Sequence, residues 1–121
     1  MSATTSTLPV FNSRKILVNG LDLNVIIKGQ GPDVMLVHGF PDSHQAWRHQ
    51  IPVLIKAGYR VIAPDLRGFG ESAAPTGKDA YKVANFVSDL LGILDALQVE
   101  KVRLVGHDWG AVCTWAFTFA H

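Results

Sequence analysis

Val102-Arg-Leu-Val-Gly-His-Asp-Trp-Gly-Ala111 is an apolar strand-like run that breaks at a glycine and resumes as an apolar, helix-like tail. Within it, Gly106-x-Asp108-x-Gly110 has the spacing of a nucleophile elbow, where small residues two before and two after the central one let the chain turn sharply from strand to helix. Such a turn would lift the Asp108 side chain clear of the backbone. A carboxylate there, with an unperturbed pKa of about 3.9, is already an anion at neutral pH and needs no base in order to attack. The same pentapeptide also fits a plain helix N-cap, a position Asp favours because its side chain accepts from the free amides of the first turn. The flanking chain has to separate these two readings.

Working outward, the residues just upstream alternate between strand and helix signals. From Tyr81 to Leu97 the apolar residues Val83, Phe86, Val87, Leu90, Leu91, Leu94 and Leu97 recur at three- and four-residue spacing, which predicts an amphipathic helix with a broad buried face. Tyr59–Ala63 reads as the preceding strand and runs into Pro64-Asp-Leu-Arg-Gly-Phe-Gly-Glu-Ser72, a glycine-punctuated turn. Before it, Ser43 is placed to cap a short helix through Trp47 and Arg48, and Pro52 suits the first turn of a second helical segment, Val53 to Ala57, closed by Gly58. Val34–Val37 carries no polar residue, as a strand covered on both faces requires, and it ends at His38-Gly-Phe-Pro41. Further back, Asn19-Gly20 separates two strand-like runs, Ser13–Val18 and Leu21–Ile27, and predicts a hairpin because both turn positions tolerate positive φ. The order is an antiparallel hairpin leading into strand, helix, strand, helix, strand, helix, which predicts an α/β fold with a mainly parallel sheet flanked by helices. Residues 1–12 read as a flexible lead-in and residues 13–121 as one unit, with no internal repeat or linker.

Three motifs now stand in order at the ends of three strands: His38-Gly-Phe-Pro41, Pro64-Asp-Leu-Arg-Gly-Phe-Gly-Glu-Ser72 and Gly106-His-Asp-Trp-Gly110. Together they resemble the α/β-hydrolase superfamily and, within it, the epoxide hydrolases, over roughly Ile16 to the end of the chain. The resemblance implies that Asp108 is the nucleophile, opening an epoxide to form an alkyl-enzyme ester that water then hydrolyses to a diol. It also implies an oxyanion hole made by the backbone N–H groups of Phe40 and Trp109, with both side chains facing a small apolar substrate. His38, Gly39, Pro41, Gly106, His107 and Gly110 would be supporting residues of the two motifs, with a cis bond before Pro41 suggested by the family.

The resemblance further implies that the tyrosines of a helical cap, three more strands, and the base histidine with its carboxylate partner lie beyond His121. This chain is therefore expected to be the N-terminal portion of such an enzyme, truncated after the elbow helix and inactive by itself. Residues present in the chain do not replace those parts. His38 reads as a brace of its loop. His107 neighbours Asp108 in a tight turn and points elsewhere. His121 would stand about 20 Å away along a helix rising 1.5 Å per residue. His44 and His49 read as surface or loop residues, and Tyr59 and Tyr81 belong to core elements. The Asp65–Ser72 turn reads as structural, with Gly68 and Gly70 supplying backbone freedom and no catalytic role for Asp65 or Glu71. Trp47 could line a pocket, but only Trp109 and Phe40 carry that expectation.

Two other functions remain open on the sequence. A haloalkane dehalogenase shares the Asp and the following Trp, yet typically has a halide-binding Asn where this chain has Phe40, whose side chain donates no hydrogen bond. Fluoroacetate dehalogenases share the His-Gly-Phe-Pro type of loop but usually carry Arg where this chain has Trp109. A non-catalytic, hydrolase-like binding module is the alternative of a different class.

Composition is consistent with a globular chain of this kind: 121 residues, 48% hydrophobic, with 11 Lys and Arg against 10 Asp and Glu. The basic residues are scattered singly, so no nucleic-acid footprint is expected. No apolar run approaches the roughly 18 residues of a membrane span, and the polar N-terminus lacks the pattern of a signal peptide. The single cysteine, Cys113, excludes an internal disulfide and a multi-cysteine metal site, and reads as a packed thiol. These features predict a cytoplasmic protein without cofactor or metal.

Overall fold

The computed structural model describes residues 11–121, so most of the lead-in lies outside the described residues. Five strands form one sheet in the order β1-β2-β4-β3-β5, where β1 is Ser13–Val18, β2 Leu21–Lys28, β3 Asp33–Val37, β4 Arg60–Pro64 and β5 Arg103–Gly106. The sheet is mixed: β1 and β2 pair antiparallel, as do β2 and β4, whereas β3 runs parallel to both β4 and β5. At the hairpin, Asn19 and Gly20 take φ of 53° and 78°, as a tight two-residue turn requires.

The helices cover both faces. Helix α1 (Gln50–Lys56) lies on one, and α2 (Val83–Ala96) and α3 (Trp109–Ala120) lie on the other. The two-residue period of the strands sorts their side chains between two cores. Val34 and Leu36 of β3, with Val61 and Ala63 of β4, pack under Ile51 of α1. Met35, Val37 and Ile62 point the other way, against Phe86, Leu90, Ile93, Cys113 and Phe117. Phe11, assigned by the sequence to the lead-in, packs against the α1-side core, its ring edge-on to that of His44 with centroids 6.1 Å apart.

Several elements differ from their predicted form: α1 begins at Gln50 where Val53 was expected, and β4 lies one residue later than Tyr59–Ala63. The predicted Tyr81–Leu97 helix is broken near its start: Lys78–Tyr81 is a separate 3-10 turn, Lys82 is extended, and α2 begins at Val83. The Asn85 side chain donates to the carbonyls of Asp79 and Ala80, taking acceptors that a continuous helix would have needed. The last strand is displaced by one residue from the predicted Val102–Val105.

Strand order reverses direction around β3. The chain passes from β3 through α1 to β4 on one side, then through α2 to β5 on the other side of β3. Connections leaving β3 and β5 therefore part company at their carboxyl ends, opening the crevice that parallel sheets use for ligands. All three sequence motifs leave the sheet at that end. On the opposite flank β5 is an edge strand, with Val105 40% exposed, and Trp115 and Phe119 of α3 are exposed beyond it. Among the described residues no helix is long and apolar enough to cross a membrane.

Candidate active site

Val37 pairs with Gly106 at the last register position of β3 and β5, so the segments that follow these strands start side by side. The amide of His107 still donates to the Val37 carbonyl, at 3.2 Å, and the chain then turns abruptly into α3. Asp108 sits at the apex with φ 58° and ψ −123°, a conformation that costs a non-glycine residue on the order of 1–3 kcal/mol. The glycines two residues to either side are required by contact. A Cβ on Gly110 would lie 2.1 Å from the Val37 carbonyl oxygen, and one on Gly106 would lie 2.6 Å from the Gly110 oxygen. The elbow closes because both positions lack that atom.

The side chain of Asp108 makes no capping hydrogen bond into α3, which argues against the N-cap reading. Its Oδ2 instead accepts from the Phe40 amide at 3.0 Å, across a gap of 68 residues in sequence. Hydrogen bonding from the Phe40 amide and then from the Trp109 amide, aided by His107 nearby, holds the carboxyl below its ordinary pKa, so it is an anion at neutral pH. Of the two backbone amides singled out in the sequence, that of Phe40 makes the defined hydrogen bond to this carboxylate, and that of Trp109 adds to holding it ionised. Gly39 allows the approach, since a Cβ there would lie 2.6 Å from the Cβ of Asp108, and the Phe40–Pro41 peptide is cis.

The His38–Pro41 loop is fastened from behind by the turn after β4. His38 is fully buried: its Nε2 accepts from the Leu66 amide at 2.9 Å, so the ring proton is on Nδ1, 2.7 Å from the Gly39 carbonyl. Burial lowers its pKa, and with both nitrogens committed it braces the loop and has no free base function. Asp65, also fully buried, is the centre of the turn. Its Oδ1 accepts from the His44 amide and from His44 Nδ1, at 2.7 and 2.9 Å, and its Oδ2 accepts from Asn24 Nδ2 and the Glu71 amide, both at 3.0 Å. Burial alone would raise the Asp65 carboxyl, but the bonds from His44, Glu71 and Asn24 outweigh it and hold the pKa at about 2. His44 therefore corrects the expectation of a surface or loop residue: it is buried, because the Asp65 carboxylate draws its ring inward. His49 is exposed.

Asp108 opens onto a cavity of about 640 Å³ lined by Phe40, Phe69, Tyr81, Phe86, Trp109 and Val112. Phe40 and Trp109 are the two of these residues that the sequence singled out. The other four were missed. Val112 stands one helical turn after Asp108, a spacing that could have revealed it, and Phe69 is flanked by two glycines in the turn after β4, which marks a side chain presented by a turn. Phe86 and Tyr81 carried no such signal. The Tyr81 hydroxyl donates to the Pro75 carbonyl at 2.7 Å, and Tyr59 lies elsewhere, under the Arg103 guanidinium. Trp47 packs in the α1-side core, away from the cavity, and the His121 ring sits against Phe117 at the far end of α3. Cys113 is fully buried, and that burial pushes its thiol up to about 11. Among the described residues no three His, Cys, Asp or Glu gather as metal ligands.

Residues 32–120 match the family model described as the alpha/beta hydrolase fold. Among curated proteins the chain is similar to Epoxide hydrolase 3 of Siraitia grosvenorii, 49% identical over 102 residues, covering 84% of this chain and 32% of the relative. It is also similar to Epoxide hydrolase A of Mycobacterium tuberculosis, 46% identical over 110 residues, covering 89% and 34%. Among solved structures, an epoxide hydrolase of Vigna radiata superposes with a TM-score of 0.87 at 44% identity, covering 89% of this chain and 35% of that one. An epoxide hydrolase from an endophytic Streptomyces gives 0.85 at 42% identity, covering 89% and 33%. The chain spans about a third of the length of the relatives it matches. With the elbow, the mixed sheet and the family match in agreement, the chain belongs to the alpha/beta hydrolase fold family.

Proposed function

We propose that this chain carries the nucleophile half of an epoxide hydrolase. The observation that supports it best is an exposed aspartate at a strained strand-to-helix turn, its Oδ2 held by the Phe40 amide at the floor of an aromatic cavity. In the first step a carboxylate oxygen of Asp108 attacks a ring carbon, the ring C–O bond breaks, and the departing oxygen takes a proton from an acid. The product is an ester between Asp108 and the alkyl group. In the second step a water molecule attacks the ester carbonyl, whose oxygen gains negative charge. The Phe40 and Trp109 amides, preorganised on that carboxylate, are suited to stabilise this oxyanion in place of water. Collapse releases the diol and restores Asp108.

The acid and the base that activates the water fall to the rest of the fold. Tyr81 spends its proton on Pro75, and His38 and His44 are tied into the loop scaffold. The partner of this chain is therefore the C-terminal part of the fold, and its substrate a small apolar epoxide matched to the aromatic walls. Phe40 offers only its backbone donor, which favours an epoxide over a halide leaving group. The lone cysteine supports placement in a reducing compartment such as the cytoplasm.

Protein made from the whole reading frame that contains these residues should convert styrene oxide to the diol and release no chloride from 1-chlorobutane. Asp108→Asn should abolish the diol, and the 121-residue chain alone should form none. Chloride release without diol would reassign the site to dehalogenation.

A further inference from the structure

The turn after β4 reaches the site through Phe69. Gly68 and Gly70, at φ +83° and +54°, throw that side chain forward, and the turn is seated so closely that a Cβ on Gly68 would lie 2.5 Å from the Tyr81 ring. The Phe69 ring meets two aromatic rings, both on the oxyanion-loop segment: His38 edge-on at 5.7 Å and Phe40 edge-on at 5.5 Å. Such pairs contribute beyond their buried area and constrain orientation. Phe40 is 67% exposed, so its own side chain is anchored by little else, although its amide must stay on Asp108.

We propose that Phe69 is a positioning residue, holding Phe40 so that its amide stays aimed at Asp108; the proposal rests on the reading of that amide as an oxyanion donor. The turn then fastens the segment at three successive points: Asp65 holds His44, the Leu66 amide holds His38, and Phe69 holds Phe40. The first two are buried hydrogen bonds, and the third is the one that faces the cavity. Phe69 therefore acts on the oxyanion geometry through Phe40.

The test uses protein from the whole reading frame that contains these residues and two measurements by NMR, the hydrogen exchange of the Phe40 amide and the titration of the Asp108 carboxyl, with its titratable neighbour His107 left in place. In Phe69→Leu, Phe40 exchange should quicken roughly threefold to tenfold, as expected for loss of one aromatic pair. The Asp108 titration should move up toward the ordinary carboxylate value. Phe69→Tyr, which keeps the ring, should behave as the parent on both counts, and Phe69→Met serves as a second ring-free variant. Parent-like exchange and titration in a folded Leu or Met variant would overturn the proposal. So would global unfolding of both, because the ring would then serve the fold and not the loop. Neither readout involves turnover, so a failed diol assay beside the expected exchange pattern would count against the proposed reaction alone.

Discussion

Replacing Asp65 by asparagine isolates what the buried carboxylate does for the loop that carries His38 to His44. Both oxygens of Asp65 are in use, each accepting two hydrogen bonds. Asparagine offers a single acceptor oxygen. If that oxygen stays with His44, the new NH2 group faces the Asn24 NH2 and the Glu71 amide, donor against donor. Two donors, that of Asn24 buried and that of Glu71 partly so, lose their partner, and at roughly 1–3 kcal/mol each the change should cost about 2–6 kcal/mol. A typical domain has only ~5–15 kcal/mol to lose. The carboxylate also makes stability depend on pH. Its pKa is lowered from 3.8 to about 2, so it contributes fully above the unfolded value and loses that contribution as pH falls through the folded one. That shift corresponds to about 2 kcal/mol, disappearing between roughly pH 4 and pH 2. Urea unfolding of parent and Asp65→Asn at neutral pH and at about pH 2.5 reads both effects. The gap between the two proteins should be large at neutral pH and narrower in acid. A loss below ~0.5 kcal/mol at neutral pH, or an acid limb as steep in the variant as in the parent, would refute the reasoning.

The Arg67–Asp89 ion pair ties the same turn to α2 through two bonds of 2.6 Å and is nearly fully buried; Asp89→Ala, which leaves the guanidinium unpaired, should cost about 3–5 kcal/mol by denaturant unfolding, and a cost under ~1 kcal/mol would show the pair to be incidental. Gly39→Ala inserts a methyl 2.6 Å from the Asp108 Cβ and 2.8 Å from its Oδ2, forcing the loop away from that carboxylate. In protein from the whole reading frame this should lower kcat for styrene oxide by up to about a hundredfold with less change in KM, and an unchanged kcat would show that the close approach is dispensable.

Much of this molecule was legible in the chain because the signals are local. The Asn19-Gly20 turn, the uninterrupted apolar run of β3 and the glycine spacing around Asp108 each reflect a constraint acting within a few residues, and each is found where it was read. The helix break at Lys82 was not legible, since it depends on the Asn85 side chain reaching back to carbonyls that a periodicity pattern does not weigh. His44 was misplaced for a related reason: exposure was inferred from its position after a loop, whereas its burial is imposed by Asp65, 21 residues away.

By itself, the sequence determined the order of strands and helices, the elbow and the identity of Asp108 as an ionised side chain at its apex. Those follow from backbone sterics and intrinsic acidity, which travel with the residues. Only the tertiary structure decided which groups meet that carboxylate. The reversal of strand order around β3 brings the Phe40 amide to Asp108, sets the turn after β4 behind both, and gathers Phe69, Tyr81, Phe86 and Val112 into the cavity wall. Such convergence depends on how strands pair across long stretches of chain, and no local pattern of residues encodes the distance between two loops at the end of a sheet.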